Sequence, residues 1–559
     1  MIFSTVRFWV TAGLLLSIMG TVQVLSALRE NQTWDEGFEL AAGYNYWKTG
    51  VYRFNLEQPP VGKLISAFPL LFLNPSLPVD HPSYTKPDDV EFGHEFLYRN
   101  RLPADRILFA GRLGTIGLTL LFGLAVALWS RKKFGEPPAL LALTLFAFDP
   151  NLIAHGRYAT TDLAAAAFIF FACIAWIAFL EKPGNGRLAL AGIMLGLALA
   201  TKHSALLLIP VLLCLHVIRW WRRPVNVLAA WMAMALLAYC TIVITYAPEA
   251  KLFVPAATKL GLTHPAMPLA QEFINRSSRY GELLFQISRW FSLAPNSYIV
   301  GLSDFFNHNA GGHPSYLLGA FSTKGWWYYF PVVFLVKTPS AVLLTLALLL
   351  LLAIRYRVSP GAILLPPVVL FVACLTSHID IGVRHLLPVY PFLYIAIGAG
   401  VFRVLPVNFR PGAAAMISFL LIVESCLTFP NYLAFFNTLC GGVKSGPKYL
   451  LESNIDWGQD LKKLRALVTP YGRAPVCLEY FGNADMEYYG FASVGSIPWT
   501  KDAEGRERVD CMGAISVNLL HGLYTDADAF SWLRDRKPLA RVGGSIYVYD
   551  LRKESRRVP

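Results

Sequence analysis

Charge is what this sequence has least of. Only 15% of its 559 residues are Asp, Glu, Lys or Arg, and 55% are hydrophobic. Ordinary soluble domains carry roughly a quarter of charged residues, so a soluble globular enzyme fits poorly. Cysteine is sparse too: there are eight, with no CxxC and no Cys/His cluster, which argues against a structural zinc site. Cys173, Cys214, Cys240, Cys374 and Cys426 lie in apolar runs, where a thiol is a small buried hydrophobe. Only Cys440, Cys477 and Cys511 fall outside them, and a Cys477–Cys511 bridge stays open. The chain also lacks repeats of 20–50 residues and low-complexity tracts. Aromatic residues at 14% exclude disorder. The formal charge of +13 would suggest nucleic acid in a soluble protein. In a membrane protein Lys and Arg collect in cytoplasmic loops instead, and no nucleic-acid partner is expected.

What the chain has in abundance is long apolar runs. Phe8–Leu28 is uncharged between Arg7 and Arg29, long enough for the ~20 residues of a membrane helix. It exceeds the usual apolar region of a cleaved signal and reads as a retained first helix. Further runs follow at about 107–130, 137–154, 163–180, 188–201, 204–218, 225–247, 333–354, 359–377, 386–402 and 412–429. The expectation is a mainly α, multi-pass transmembrane bundle of about eleven spans. With the amino terminus inside, the inner loops carry twelve basic residues, among them Arg131, Lys132, Lys133, Arg222, Arg223, Arg355 and Arg357. They carry two acidic ones, Glu136 and Glu181. The first outer loop holds eight basic and eleven acidic residues. That bias follows the positive-inside rule and leaves the tail from about 431 on the outer face of the cell inner (plasma) membrane.

Two outer segments, 29–106 and 248–331, are too long for simple connectors. The expected division is a transmembrane catalytic domain over 1–430, including both loops, and a small extracytoplasmic α/β domain over 431–559. In that tail, Asp460–Val468 reads as helix and Val476–Tyr480, Ala514–Leu519 and Ser545–Asp550 as strands, with a helix near Asp526–Arg534.

Several polar groups sit beside the runs. Thr33-Trp34-Asp35-Glu36 opens like a capping box, Thr33 with Glu36, at the start of a helix through about Trp47. Adjacent helical positions point in different directions, so one acid of the pair faces a site. In Glu57-Gln58-Pro59-Pro60 the prolines hold the preceding residues extended. The motif is a rigid turn or a fixed carboxylate aimed toward Asp35. Two such carboxylates near phosphate could hold a divalent cation through oxygen ligands. The hairpin His155-Gly156-Arg157-Tyr158-Ala159-Thr160-Thr161-Asp162 places an acid at a helix start, where it complements the positive end. His155 is an interfacial polar residue or a substrate contact. The 188–218 hairpin has 31 residues, where two full crossings need roughly 40. Its legs are therefore shallow and Lys202 lies below the outer headgroups, where an ammonium needs a partner. That partner is a lipid phosphate or an acid of the bundle. Arg384-His385 offers a second cation, with Asp380 the alternative partner. Gly325-Trp326-Trp327-Tyr328-Tyr329 is an aromatic belt or, through Trp327, a stacking surface for a sugar.

Taken together, these elements resemble the GT-C superfamily of polyprenyl-phosphate-dependent glycosyltransferases. The resemblance is to the bacterial family 39 branch, similar to protein O-mannosyltransferases and lipid A aminoarabinose transferases. It rests on Trp34-Asp35-Glu36, Glu57-Gln58-Pro59-Pro60, the 154–162 hairpin, Ala200-Thr201-Lys202, Ile381–Pro391 and Ser453–Asp460, in that order, over residues 1 to about 460. The resemblance implies catalytic carboxylates at Asp35, Glu57 and Asp162, and carrier-phosphate contacts at Lys202, Arg384 and His385. It further implies substrate contacts at Glu36, His155, Tyr158 and Trp327. Two departures stand out. Gln58 occupies the position of a Lys in the aminoarabinose transferases, and the inserted domain of eukaryotic O-mannosyltransferases is lacking.

The implied reaction moves a sugar from a polyprenyl phosphate to a lipid, glycan or protein acceptor on the outer face, with inversion. Asp35 is the expected base, and Lys202 and Arg384 the cations for the leaving phosphate. The resemblance fixes no cofactor; a divalent metal, where one is used, is expected at Asp35 and Glu57. A transporter or flippase would also have many spans, but usually shows internal repeats. A receptor or assembly protein would not need Asp35, Lys202 and Arg384 to converge.

Overall fold

In the computed structural model the described residues are 2–220, 227–247, 296–357, 361–471, 475–492, 494–498 and 511–552. Arg222, Arg223 and most of the expected outer loop 248–331 lie outside them. The described chain is mainly helical. Helices occupy every apolar run: Ile2–Ala27, Ala104–Phe134, Glu136–Phe148, Thr161–Glu181, Asn185–Leu199, Leu208–Trp220, Val227–Thr245, Ser340–Arg355, Leu365–Cys374, Tyr390–Val404 and Arg410–Thr428.

Five of these regions are long and apolar enough to cross a membrane, or six with one bent pair; eleven full crossings are not established. The shorter ones have visible causes. The run 137–154 does not continue as one helix. It stops at Phe148, and Asp149 caps a new short helix, Pro150–His155, by accepting from the backbone N–H groups of Asn151 and Leu152 at 2.6 and 2.9 Å. The run 333–354 breaks as well. Helix Tyr329–Lys337 and helix Ser340–Arg355 meet at 110°, because Pro339 has no N–H to continue the ladder. The 188–218 hairpin has legs of 15 and 13 residues, which at 1.5 Å per residue reach only about 20–23 Å of a ~30 Å core.

Thr161–Glu181 packs on Asn185–Leu199, which packs on Val227–Thr245. The last contact is close because Gly192 and Gly196 face Leu237, Ala238 and Thr241. A Cβ on Gly196 would come within 2.5 Å of Thr241, so small residues set the helix separation.

The first outer loop is folded. Helix Glu36–Thr49 lies against helix Pro60–Ala67 and helix Asp89–Tyr98. The tail forms a four-stranded sheet in the order Val476–Glu479, Met512–Ser516, Ile546–Asp550, Ala540–Val542, the first pair parallel and the others antiparallel. The strand expected over 514–519 ends at Ser516 and turns helical over Val517–Leu520. The helix expected near 526–534 is reduced to Ser531–Arg534. Cys477 and Cys511 are disulfide-bonded.

The tail is laced to the first outer loop. Asn31 donates to the Gly458 carbonyl at 2.6 Å and accepts from the Leu461 N–H at 2.7 Å, while the Trp34 N–H donates to the Trp457 carbonyl at 2.8 Å.

Candidate active site

A cavity of about 700 Å³ opens where the first outer loop, the inward ends of the helices and the tail meet. Asp35 reaches it from the N-cap of helix Glu36–Thr49, with its side chain free of any capping bond. Asp162 reaches it from the first turn of Thr161–Glu181 and Lys202 from the tip of the shallow hairpin. Arg384 comes from the short 3-10 turn Val383–Leu386. Arg384 donates to Asp35 at 2.8 Å and lies 3.6 Å from Asp162, while Lys202 is paired with Asp162. The Arg384 guanidinium sits 4.5 Å over the Trp457 ring, which fixes its plane.

This is a compact alternation of two carboxylates and two cations. Burial raises the Asp35 carboxyl above its usual value, against the opposing pull of Arg384. His385 also lines the cavity. Burial, with Lys202 and Arg384 close by, pushes its imidazole well below the ordinary value. It therefore offers a neutral N–H and no positive charge.

Glu57 lines the cavity but does not join this group. It accepts from His308 Nδ1 at 2.8 Å; His308 Nε2 meets His313 Nδ1 at 3.2 Å, and His313 Nε2 meets the Tyr524 hydroxyl at 3.0 Å. Although burial alone would raise Glu57, the His308 contact holds it below the usual carboxylate range. Asp35 and Glu57 thus each face a different cation, Arg384 and His308. A metal between them would have to displace both. Among the described residues, the one set of three metal-type ligand atoms within 4.8 Å of one another is His81, Glu91 and Glu95, none of which lines the cavity.

Four expected substrate contacts lie elsewhere. Glu36 is fully buried, taking paired bonds from Arg112 at 2.8 and 2.7 Å and further ones from the backbone N–H groups of Thr33 and Ala159. Only half of the expected capping box forms, since the Thr33 hydroxyl finds no partner among the described residues. Tyr158 donates to Glu30 at 3.0 Å in a buried network with Arg157. His155 is buried behind Trp457, 5.9 Å from its ring. Trp327 is 69% exposed and outside the cavity, as an interfacial belt residue is. Asp380 is not the partner of Arg384 either; it accepts from the Trp326 N–H at 2.7 Å.

Other cavity residues carried no local signal. Glu39 repeats Asp35 one helical turn later. His308 and His313 belong to the end of the second outer loop, and Glu452, Phe481 and Tyr524 to the tail. Phe481 stacks between Trp34 at 4.9 Å and Tyr524 at 5.1 Å, closing one side.

Residues 94–260 match the family model described as dolichyl-phosphate-mannose-protein mannosyltransferase. The match covers under a third of the chain and includes Asp162 and Lys202. No curated protein matches the sequence. Among solved structures, the chain is similar to ArnT from Cupriavidus metallidurans bound to undecaprenyl phosphate. Identity is 13%, coverage 97% of both chains and the TM-score 0.46. The apo state of the same protein gives 15% identity, 97% and 98% coverage and a TM-score of 0.47. The Archaeoglobus fulgidus oligosaccharyltransferase tethered with an acceptor peptide gives 13% identity, covers 75% of this chain and 55% of that one, and has a TM-score of 0.43. The family match falls on the two segments that carry Asp162 and Lys202 to the cavity, so the likeness to a mannosyltransferase family and the cluster of acids and cations coincide in that stretch of the chain.

Proposed function

We propose that the cavity binds a polyprenyl-phosphate sugar and transfers the sugar, with inversion, to an acceptor hydroxyl or amine on the outer face of the membrane. The observation that carries this reading is the shared guanidinium: Arg384 lies between Asp35 and Asp162, with Lys202 on the far side of Asp162. Before donor binds, the two acids neutralise the two cations. A carrier phosphate entering this group takes hydrogen bonds from Arg384 and Lys202, for which a guanidinium is well shaped. Release of Asp35 from Arg384 then leaves a buried carboxylate with a strengthened appetite for a proton.

The acceptor lone pair attacks the anomeric carbon, and the bond from that carbon to the phosphate oxygen breaks. The electron pair leaves with the polyprenyl phosphate, whose added charge Arg384 and Lys202 stabilise in a water-poor cavity. Asp35 accepts the acceptor's proton. Asp162 holds the two cations in register, and Glu57 with His308 borders the acceptor side. A divalent cation, were one bound, would be held by Asp35 and Glu57 in place of Arg384 and His308, and would supply positive charge beside the phosphate. The acceptor class is lipid, glycan or protein. The membrane is the cell inner (plasma) membrane, with the tail outside and forming an α/β domain from about residue 431.

The test is direct. Purified full-length protein in lipid nanodiscs is given undecaprenyl-phosphate sugars and a membrane-lipid, glycan and peptide acceptor panel, with products read by mass spectrometry. Transfer with stoichiometric release of undecaprenyl phosphate supports the reading. Hydrolysis-free binding without transfer to any acceptor, or no binding of the carrier, refutes it.

A further inference from the structure

The acids and cations of the cavity do not balance. Asp35 and Asp162 are matched by Arg384 and Lys202, and Glu57 by His308. Glu39 is left over. It lines the cavity, is only 4% exposed, and its Oε2 has no hydrogen-bond partner among the described residues. Two neighbours on the cavity wall share this state: Gln58 Oε1 and both ring nitrogens of His203 are buried without partners among the described residues. Unsatisfied buried polar atoms are costly, and three such side chains lining one cavity are unusual in a folded protein.

Their position gives the state a meaning. Glu39 follows Asp35 by four residues at the start of one helix, so the two acids share a face about 6 Å apart along the axis. That is of the order of one sugar ring. A ring whose anomeric carbon lies at Asp35 presents its remaining substituents to Glu39. Burial, with Asp35 adding to it and Lys63 opposing, raises the Glu39 carboxyl well above the usual range.

We propose that Glu39, seconded by Gln58 and His203, is the specificity-determining subsite for the transferred sugar, hydrogen-bonding a ring O–H or N–H donor away from the anomeric centre. The proposal rests on the donor reading above, and it concerns the sugar rather than the phosphate. A site built around a buried polar group rejects a ligand that leaves the group unpaired.

The experiment compares binding of bare undecaprenyl phosphate with that of undecaprenyl phosphate carrying neutral hexoses or their amino counterparts. Wild type, Glu39→Gln and Glu39→Leu are measured as full-length protein in nanodiscs. In the wild type at least one sugar should tighten binding beyond the bare carrier. Glu39→Leu should abolish that increment, a loss of ~10-fold or more, and leave bare-carrier affinity unchanged. If the group read is a hydroxyl, Glu39→Gln keeps most of the increment; if it is an ammonium, Glu39→Gln loses it for the amino sugars. Three results overturn the proposal: no sugar adds affinity in the wild type, Glu39→Leu keeps the increment, or Glu39→Leu loses bare-carrier binding to the same degree. Failure of bare carrier to bind the wild type removes the donor reading itself, and is seen separately.

Discussion

Asp35 and Asp162, on two different outer segments, are held by one guanidinium: Arg384 lies 2.8 Å from the first and 3.6 Å from the second. Either acid alone would be an ordinary ion-pair partner. Sharing a cation brings the two carboxylates to the same guanidinium nitrogen, so whatever draws Arg384 away acts on both acids at once.

Asp35→Asn keeps the size of the side chain and removes its ability to take a proton. Turnover should fall by ~10²-fold or more, with the protein still folded and still binding bare carrier. Glu36→Gln should behave in the opposite way. Its carboxylate is fully buried against Arg112, and breaking such a pair typically costs about 3–5 kcal/mol. The check is thermal unfolding in detergent alongside a transfer assay. A stable Glu36→Gln protein lacking turnover would reverse the two roles.

Arg384→Ala and Lys202→Ala should each weaken carrier binding by roughly 10- to 100-fold, the worth of a hydrogen bond to a charged group. Arg384→Lys should not rescue, because an ammonium cannot reproduce the stacking of the planar guanidinium on Trp457 or its paired hydrogen bonds to phosphate oxygens. Titration of the variants with undecaprenyl phosphate measures this.

The Glu57–His308 contact gives a pH signature. The bond to Glu57 raises His308 above its usual 6.5, while Glu57 is lowered below 4.5. The stabilisation from His308 is complete below 6.5 and is lost as pH rises through its raised value. That from Glu57 is complete above 4.5 and is lost as pH falls through its depressed value. The difference in unfolding temperature between wild type and His308→Gln should therefore be widest between about 4.5 and 6.5, and narrow on either side. A difference that stays flat from pH 4 to 9 would show that the pair contributes nothing to stability.

Orientation can be checked without substrate. Reporter fusions at Lys133, Gly186 and Arg222 should read as cytoplasmic, and those at Lys86 and Arg506 as external, from the basic bias of the loops. A cytoplasmic signal at Arg506 would put the tail on the wrong side of the membrane for the chemistry.

Asp35, Asp162, Lys202 and Arg384 were legible in the sequence because each stands at a break in an apolar run, where a charge needs a reason. Choosing between Asp35 and Glu36 needed only the rule that helical neighbours diverge, but the burial of Glu36 depended on Arg112, far along the chain. Glu39 was hidden for the opposite reason. Its helix reads as a surface helix from Leu40, Tyr44 and Trp47, and the surfaces that bury its other face come from Asp89–Tyr98 and other distant segments. His308 lies 251 residues from Glu57, beyond any local pattern. The helix breaks at Asp149-Pro150 and at Pro339 were written in plain proline, yet the surrounding hydrophobicity runs straight through them. Hydrophobicity sets which segments avoid water; it does not set where a helix must end.

The lacing of Asn31 and Trp34 to Trp457, Gly458 and Leu461 has a consequence for how the protein comes into being. Asp35, Asp162 and Lys202 are all made in the first half of the chain, but Arg384, Glu452, Trp457, Phe481 and Tyr524 complete the walls around them. A growing chain therefore carries both acids and Lys202 into place long before they enclose anything. Until the ribosome has passed Tyr524 the walls of this cavity are incomplete, so a ligand that needs its enclosure can bind only after synthesis of the tail.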